Sequence, residues 1–161
     1  MKPTNKTATL CLFLSIALFL SLIPTYMVKA SNSSSTETIV YIDDEIQITS
    51  TTIIYTSYNL LDTSSYSTKS ATTTYTYKTL SGSVCATYTL RASFKYNGTS
   101  SSCTSANYST SVSSSNYTFT SCSASKSGNT ATGNMTLYLK NSSKSITKVL
   151  TLACDKNGNI S

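Results

Sequence analysis

The sequence predicts an all-β domain, an immunoglobulin-like β-sandwich or alternatively a small β-barrel, preceded by a cleaved signal helix. Apolar residues alternate with serine and threonine through most of the chain, turn signals recur about every eight to twelve residues, and no proline follows Pro24. About eight or nine short strands divided by such turns are typical of sandwiches and small barrels. The core tryptophan of antibody domains is absent, so the immunoglobulin likeness concerns architecture only.

The first thirty residues have the pattern of a secretory signal peptide. Lys2 and Lys6 precede an apolar stretch at 8–23, and the segment ends in Val-Lys-Ala. These small residues predict cleavage between Ala30 and Ser31. A membrane-spanning helix needs about 20 apolar residues, and this stretch is shorter. We therefore expect a secreted protein, extracellular or associated with the cell envelope, that meets the membrane only through its signal peptide.

The chain after the predicted cleavage site is rich in hydroxyl side chains. Serine and threonine make up 55 of the 131 residues from Ser31 onward. Polar tracts of this kind are often disordered, but large apolar residues recur between these hydroxyls in alternation. The segment 31–37 lacks that alternation, so we expect a flexible N-terminal tail there. The remainder, 38–161, has a length that suits a single domain.

Short apolar runs begin the predicted domain. They lie at 38–42, 46–49 and 52–58, and Asp43-Asp44 forms a turn or bulge between the first two. Residues 60–71 are polar and predict a loop. The following segment, 72–80, alternates threonine with tyrosine and predicts a further strand.

The clearest strand runs from Val84 to Tyr96, where apolar residues occupy every second position. No helix has that periodicity. Asn97-Gly98 follows at once and predicts a type I′ turn, in which both residues adopt positive φ. The return strand is expected at about 101–109.

The last strands follow the same pattern. Tyr117 and Phe119 mark one strand, and the sequence at 127–129 predicts the turn after it. Alternate residues within 131–139 are then apolar and predict one buried face. The same face continues in the final strand, after a loop at 141–144, with Lys148 as an exception among Ile146, Leu150 and Leu152.

Four cysteines follow the predicted cleavage site: Cys85, Cys103, Cys122 and Cys154. An even number in an exported chain predicts two disulfide bonds with three possible connectivities. Alternation places Cys85 and Cys122 on polar faces and Cys154 on an apolar face, which favours Cys85–Cys122 with Cys103–Cys154. The main alternative is Cys85–Cys154 with Cys103–Cys122. Zinc binding is not expected, because the chain has no histidine and no CxxC pair.

The charges are divided unevenly along the chain. Five acids and no base lie within 31–62, whereas nine basic residues and one acid, Asp155, follow. Such asymmetry can mark an interaction surface. We favour the simpler interpretation that the acidic strands fold against the basic part and neutralise it. The basic residues are scattered singly, so a nucleic-acid partner is not expected.

No catalytic pattern emerges from the residues. The lack of histidine removes the Ser-His-Asp and Cys-His arrangements. The only acidic cluster, Asp43 to Glu45, lies at a predicted turn, where solvated charge is a more ordinary role than glycoside hydrolysis. No phosphate-binding or dinucleotide motif occurs. We therefore predict a protein that is not an enzyme and uses no cofactor or metal.

Tyrosine is abundant and offers a candidate binding surface. Tyr75, Tyr77 and Tyr138 are candidates for polar faces, where tyrosine stacks on sugars or anchors a protein partner. The alternative, which we favour, is that these side chains belong to the core or to cross-strand pairs.

Three stretches carry a resemblance: 94–98 with Cys103, then 125–131, and the C-terminal 150–161. Over about residues 80–161 the chain resembles uncharacterised small secreted Ser/Thr-rich β proteins of Gram-positive, clostridia-type bacteria. The resemblance implies a bacterial, extracellular setting and no particular activity.

The sequence thus predicts a non-catalytic, extracellular or envelope-associated domain that binds an unknown extracellular protein or glycan. One alternative is a secreted membrane-active toxin or bacteriocin-like protein, since alternating strands such as 72–80 suit membrane hairpins. The other is a structural component of the cell envelope or matrix.

Overall fold

The computed structural model of the protein describes residues 35–57 and 66–161, and these form eight β-strands. The predicted signal peptide, its cleavage site at Ala30 and Ser31, and most of the predicted tail lie outside the described residues. The strands are β1 (Ser35–Ile42), β2 (Ile46–Ser57), β3 (Ser67–Thr79), β4 (Val84–Tyr96), β5 (Ser101–Val112), β6 (Tyr117–Ser127), β7 (Thr130–Leu139) and β8 (Lys144–Ala153).

The strands form two antiparallel sheets. Sheet A has the order β1-β2-β3-β4-β5, and sheet B has the order β6-β7-β8. Neighbours in each sheet are consecutive in the chain, so both sheets are meanders. This confirms the all-β prediction and the two packed sheets. Immunoglobulin domains have Greek-key connections instead, so the connectivity differs from theirs.

The alternation in the sequence builds the core between the sheets. Successive side chains on a strand point to opposite faces, and the buried apolar residues lie on the faces that the two sheets turn toward each other. The predicted apolar faces are buried on β7 and on β4 from Ala86 onward, as in Leu90, Phe94 and Leu137, whereas Val84 is exposed. The buried side chains form two clusters, and each contains residues of both sheets.

Lys148 is the predicted exception on the inner face of β8, where it lies opposite Met135 of β7. Its Nζ lies 3.9 Å from the centroid of the Tyr41 ring on β1. This cation–π contact explains how an ammonium group is accommodated on that face.

Two β-bulges overturn the predicted orientation of two cysteines. The β3–β4 register shifts between Tyr77 and Lys78, so Cys85 is the extra residue and is only 1% exposed rather than on a polar face. A second shift, between Phe119 and Ser121, makes Thr120 the extra residue of β6. Cys122 consequently packs against the core and does not share the polar face of Thr120.

The hairpin after β4 forms as predicted, but its turn type was predicted wrongly. Gly98 has a φ of 83°, whereas the φ of Asn97 is not positive, which rules out a type I′ turn. The Asn97 side chain accepts hydrogen bonds from the backbone N–H groups of Thr99 and Ser100, at 3.1 and 2.8 Å. An Asx turn within a longer loop therefore reverses the chain.

Three element boundaries also differ from the prediction. β1 begins at Ser35, so the end of the predicted tail pairs with β2. The runs predicted at 46–49 and 52–58 are one strand, β2, because serine and threonine continue its pairing between them. β3 begins at Ser67 within the predicted loop, where four polar residues, Ser67 to Ser70, pair with β4. Alternation alone does not detect strands that have no apolar side chain.

Candidate functional site

A groove lies between the two sheets beside β2 and β8. Sheet A has five strands and sheet B three, so sheet B leaves part of the inner face of sheet A uncovered. Along β2, Ile46 and Ile48 are buried, whereas Ser50, Thr52 and Ile54 are only half-buried. The cavity in this gap, called the β2–β8 groove below, has a volume of about 330 Å³.

The strand periodicity places the lining side chains. Ser50, Thr52 and Ile54 lie at alternate positions of β2 and therefore share the inner face. Facing them on β8 are Leu150 and Leu152, which are largely buried. Further lining residues come from β3, β8 and the C-terminal segment: Thr73, Thr151, Ile160 and Ser161.

The floor of the groove is preorganised by hydroxyl pairing. The Oγ1 atoms of Thr52 and Thr73 lie 2.8 Å apart and form a hydrogen bond between β2 and β3. Thr73 is 2% exposed and anchors that pair, while the Thr52 side chain remains half-buried. The groove therefore combines fixed polar groups with aliphatic walls, a combination typical of binding pockets.

The C-terminal segment forms one end of the groove. Ile160 pairs with Cys154, and Ser161 exchanges two backbone hydrogen bonds with Ala153, at 2.9 and 3.0 Å. The intervening turn is held by Asp155, whose Oδ1 accepts from the backbone N–H groups of Asn157 and Asn159, both at 2.8 Å. This end wall is thus an ordered extension of sheet B.

Charged residues connect the two sheets at the start of β8. The Lys144 ammonium group lies 2.6 Å from Asp43 and 3.4 Å from Asp44, so the β1–β2 turn is tied to the start of β8. Burial acts to raise the pKa of Asp43, but hydrogen bonds from Lys144 and from the backbone N–H groups of Ile46 and Glu45 outweigh it. The pKa of Asp43 is consequently held well below its usual range.

These contacts account for the acidic cluster noted in the sequence. Glu45 accepts a hydrogen bond from Ser142 at 2.8 Å, and Glu37 on β1 pairs with Lys78 on β3 at 2.9 Å. The acidic first strands therefore fold against basic residues of the later strands, as favoured from the sequence. The cluster joins the sheets through Lys144 and is not part of the lining of the β2–β8 groove.

The chemistry available in the groove is limited to hydroxyl, aliphatic and backbone groups. None of the nine lining residues carries an ionisable side chain. Within residues 35–57 and 66–161, no group of three or more Cys, Asp or Glu side chains is placed to hold a metal ion. In the same residues, no helix has both the length and the apolar character needed to cross a bilayer.

The four cysteines lie away from the groove lining, and no disulfide bond joins them in the structure. Cys103 and Cys154 belong to the same buried cluster, and their N–H groups donate to adjacent carbonyls of the β6–β7 turn, those of Gly128 and Asn129. Cys85 belongs to the other cluster, apart from Cys122. The placement therefore supports Cys103–Cys154 more strongly than Cys85–Cys122, and both pairs stay predictions.

Tyr75 and Tyr77 follow the favoured interpretation, whereas Tyr138 lies on the outer face of β7, between the buried Leu137 and Leu139. Tyr77 is fully buried in the core and contacts Phe119 edge to face, with ring centroids 6.0 Å apart. Tyr75 is half-buried against both clusters, and Tyr138 is half-buried on β7. None of the three lines the β2–β8 groove.

The sequence did not point to the groove. Its hydroxyl residues resemble the many serines and threonines elsewhere in the chain, and Ile160 follows the last predicted strand. The one usable signal was that the inner face of β2 carries two small polar residues, Ser50 and Thr52, between Ile48 and Ile54.

Comparison with known proteins identifies no relative. No protein-family model, curated protein or solved structure matches the chain.

Proposed function

We propose that this protein is an exported, non-catalytic binding domain and that the β2–β8 groove is its ligand site. The observation that carries the proposal is the uncovered inner face of β2, which leaves a cavity of about 330 Å³ bordered by both sheets. Concave sites with aliphatic walls and a few fixed polar groups are the usual form of a ligand pocket.

The composition of the groove favours binding over catalysis. General acid–base and nucleophilic catalysis require a titratable or activated side chain at the reacting centre. The nine lining residues offer only hydroxyl and aliphatic groups, and the hydroxyl of Thr52 is engaged with that of Thr73. We therefore include in the proposal that the protein is not an enzyme and needs no cofactor.

The setting of the proposed function is extracellular. It depends on the N-terminal pattern that ends at Ala30 and on the resemblance to secreted proteins of Gram-positive bacteria. Immunoglobulin-like is meant here as architecture alone, since both sheets are meanders. The ligand class named from the sequence was an extracellular protein or glycan, and a nucleic acid is not proposed because several basic residues are engaged in ion pairs.

The test is binding by the full chain to arrays of short peptides and of glycans. Ser50→Tyr fills the groove from the inner face of β2, and Ser111→Tyr adds the same side chain to an exposed position on β5 as a matched control. We expect array binding that Ser50→Tyr weakens about tenfold or more, and that Ser111→Tyr preserves.

Three outcomes would overturn the proposal. They are binding that is indifferent to Ser50→Tyr, no binding on either array, and release of dye from liposomes at comparable concentrations. Dye release would identify a membrane-active toxin. Retention of the unliganded protein in a washed cell-wall fraction, with no array binding, would identify a structural envelope component.

A further inference from the structure

We propose that the ligand of the β2–β8 groove is an extended polypeptide strand, which adds to the edge of β8 as a fourth strand of sheet B. This inference depends on the proposed function, because it names the ligand class of the same groove.

The hydrogen-bonding edge of β8 supplies the first argument. In an antiparallel strand, alternate residues direct both their N–H and C=O groups to the same side. Both groups of Ala153 point away from β7 and bond to Ser161. The β7–β8 register has no shift, so Thr151 and Val149 also direct both groups away from β7. Among the described residues β7 is the only strand paired with β8, so these groups are available to a ligand.

The chain itself provides a precedent for strand addition at this edge. Ile160 and Ser161 pair antiparallel with Cys154 and Ala153, so they already form the beginning of a fourth strand beside β8. A ligand strand that continues from Ser161 in the same direction would pair with Thr151 and then with Val149. The existing pairing therefore defines both the direction and the register of the added strand.

The groove has ends that set the length of the ligand. Ser161 lines it on one side. On the other side the β8 lining ends at Leu150, and the next inward residue of β8, Lys148, contacts Tyr41. The β8 residues between these limits span roughly 13–17 Å at about 3.3 Å per residue. About four or five residues of an extended chain fit that distance.

The side chains of the groove define which residues the strand would present. Residues paired with Thr151 and Val149 point outward, because directly opposed residues share a face. Their neighbours point inward, into the cavity beside Ile54 and the Thr52–Thr73 pair. We infer a strand that alternates outward polar residues with inward residues of small, mainly apolar character.

A peptide fits these features better than a glycan. Sugar recognition relies on aromatic faces, and none of the nine lining residues is aromatic. Strand addition instead uses backbone hydrogen bonds for affinity and pockets for alternate side chains for specificity, and the groove supplies both.

The probe is the uncharged peptide acetyl-Val-Thr-Val-Thr-Val-amide, whose five residues match the span of the groove, with valines for the cavity and threonines for the outer face. Two modified peptides carry N-methyl groups on the threonines alone or on the valines alone. The threonine N–H groups face β8 in the proposed register, so threonine methylation should weaken binding about tenfold or more, whereas valine methylation should preserve it. Backbone amide NMR of the full chain measures the affinity, and binding should slow hydrogen exchange at Thr151 and Val149.

Matched variants of the protein provide a second test of strand addition. Thr151→Pro removes one edge N–H that does not bond to β7, a substitution that edge strands tolerate. Thr147→Pro makes the same change on the same edge of β8 but outside the groove lining, and serves as the matched control. We expect Thr151→Pro to weaken peptide binding about tenfold and Thr147→Pro to leave it unchanged. If Thr151→Pro fails to fold, the two methylated peptides still decide the question on the unaltered chain.

The outcomes separate this inference from the proposed function. If Ser50→Tyr abolishes binding but Thr151→Pro retains it, strand addition is overturned and the groove binds a ligand of another class, such as a glycan. The same conclusion follows if the two methylated peptides bind equally well. Binding indifferent to both variants overturns both proposals. A concentration-dependent dimer that Thr151→Pro dissolves, with no peptide binding, would overturn the inference in favour of a second copy at this edge.

Discussion

Gly133 should be one of the least replaceable residues of the core. It lies on the inner face of β7, where an added Cβ would lie 2.5 Å from the Oη and 2.9 Å from the Cε1 of Tyr88. Ordinary contact requires roughly 3.5 Å, so the hydroxyl group must move by about 1 Å. Tyr88 is fully buried, and its Oη donates a hydrogen bond to the carbonyl of Ser123 at 2.7 Å, which that displacement would break.

The expected loss for Gly133→Ala follows from these contacts. Overpacking a well-packed core costs about 1–3 kcal/mol. The lost hydrogen bond adds about 1 kcal/mol. A gain of about 0.5–1 kcal/mol from replacing glycine in a strand offsets part of this. We expect a net loss of about 2–3 kcal/mol in the free energy of unfolding, or a melting temperature lower by on the order of 10 °C.

Thermal and urea denaturation followed by circular dichroism measures the effect, with Gly128→Ala as the matched control. Gly128 has no heavy atom within 4 Å of an added Cβ and a φ of 55°, so only backbone strain of about 1 kcal/mol is expected there. Tyr88→Phe removes the nearest atom, so the double variant should lose less than the sum of the single losses by about 1 kcal/mol or more. Strict additivity, or a melting temperature for Gly133→Ala close to that of the unaltered protein, would refute the steric argument.

Two further predictions concern sulfur and charge. Oxidation should join Cys103 to Cys154, and peptide mapping before and after reduction should detect this disulfide bond. Closing this loop should stabilise the protein by about 4 kcal/mol. An oxidised sample in which both thiols remain free would contradict the predicted pairing. Asp43→Asn should lower the free energy of unfolding at pH 7 by about 1 kcal/mol, since it removes the charge paired with Lys144. The folded-state pKa of Asp43 is depressed, so its contribution is present above about pH 4 and lost as the pH falls further. Denaturation from pH 7 to pH 2.5 should show the two proteins converging, and a gap that stays constant with pH would contradict the assignment.

The predictions from periodicity succeeded where the pattern was unbroken. β4 was predicted at its observed bounds, Val84–Tyr96, because one continuous alternation has one solution in which the apolar face is buried. The inner face of β7, from Ala131 to Leu139, was right for the same reason. β7 pairs with β8 along its length without a register shift, and β4 pairs with β3 without a shift from Ala86 to Tyr96.

The predicted orientations of Cys85 and Cys122 were wrong because Cys85 is itself the extra residue of a bulge and Cys122 follows one. One extra residue reverses the face of each side chain beyond it, and nothing in the local composition marks that residue. The Asn97 turn was wrong for a related reason. The residue type fits several turns, and the hydrogen bonds of its own side chain selected among them.

The sequence alone determined that the chain after its predicted leader forms twisted ribbons of alternating hydroxyl and apolar residues, because local sterics and side-chain alternation act within a few residues. The whole fold determines that five strands form sheet A and three form sheet B. Because sheet B is narrower, Ser50 and Thr52 stay uncovered beside the edge of β8, and this creates the groove. Serine and threonine face solvent on the outer face of a sheet, and the same residue types line the groove on the inner face. The packing of the second sheet determines which backbone edge and which side chains stay uncovered.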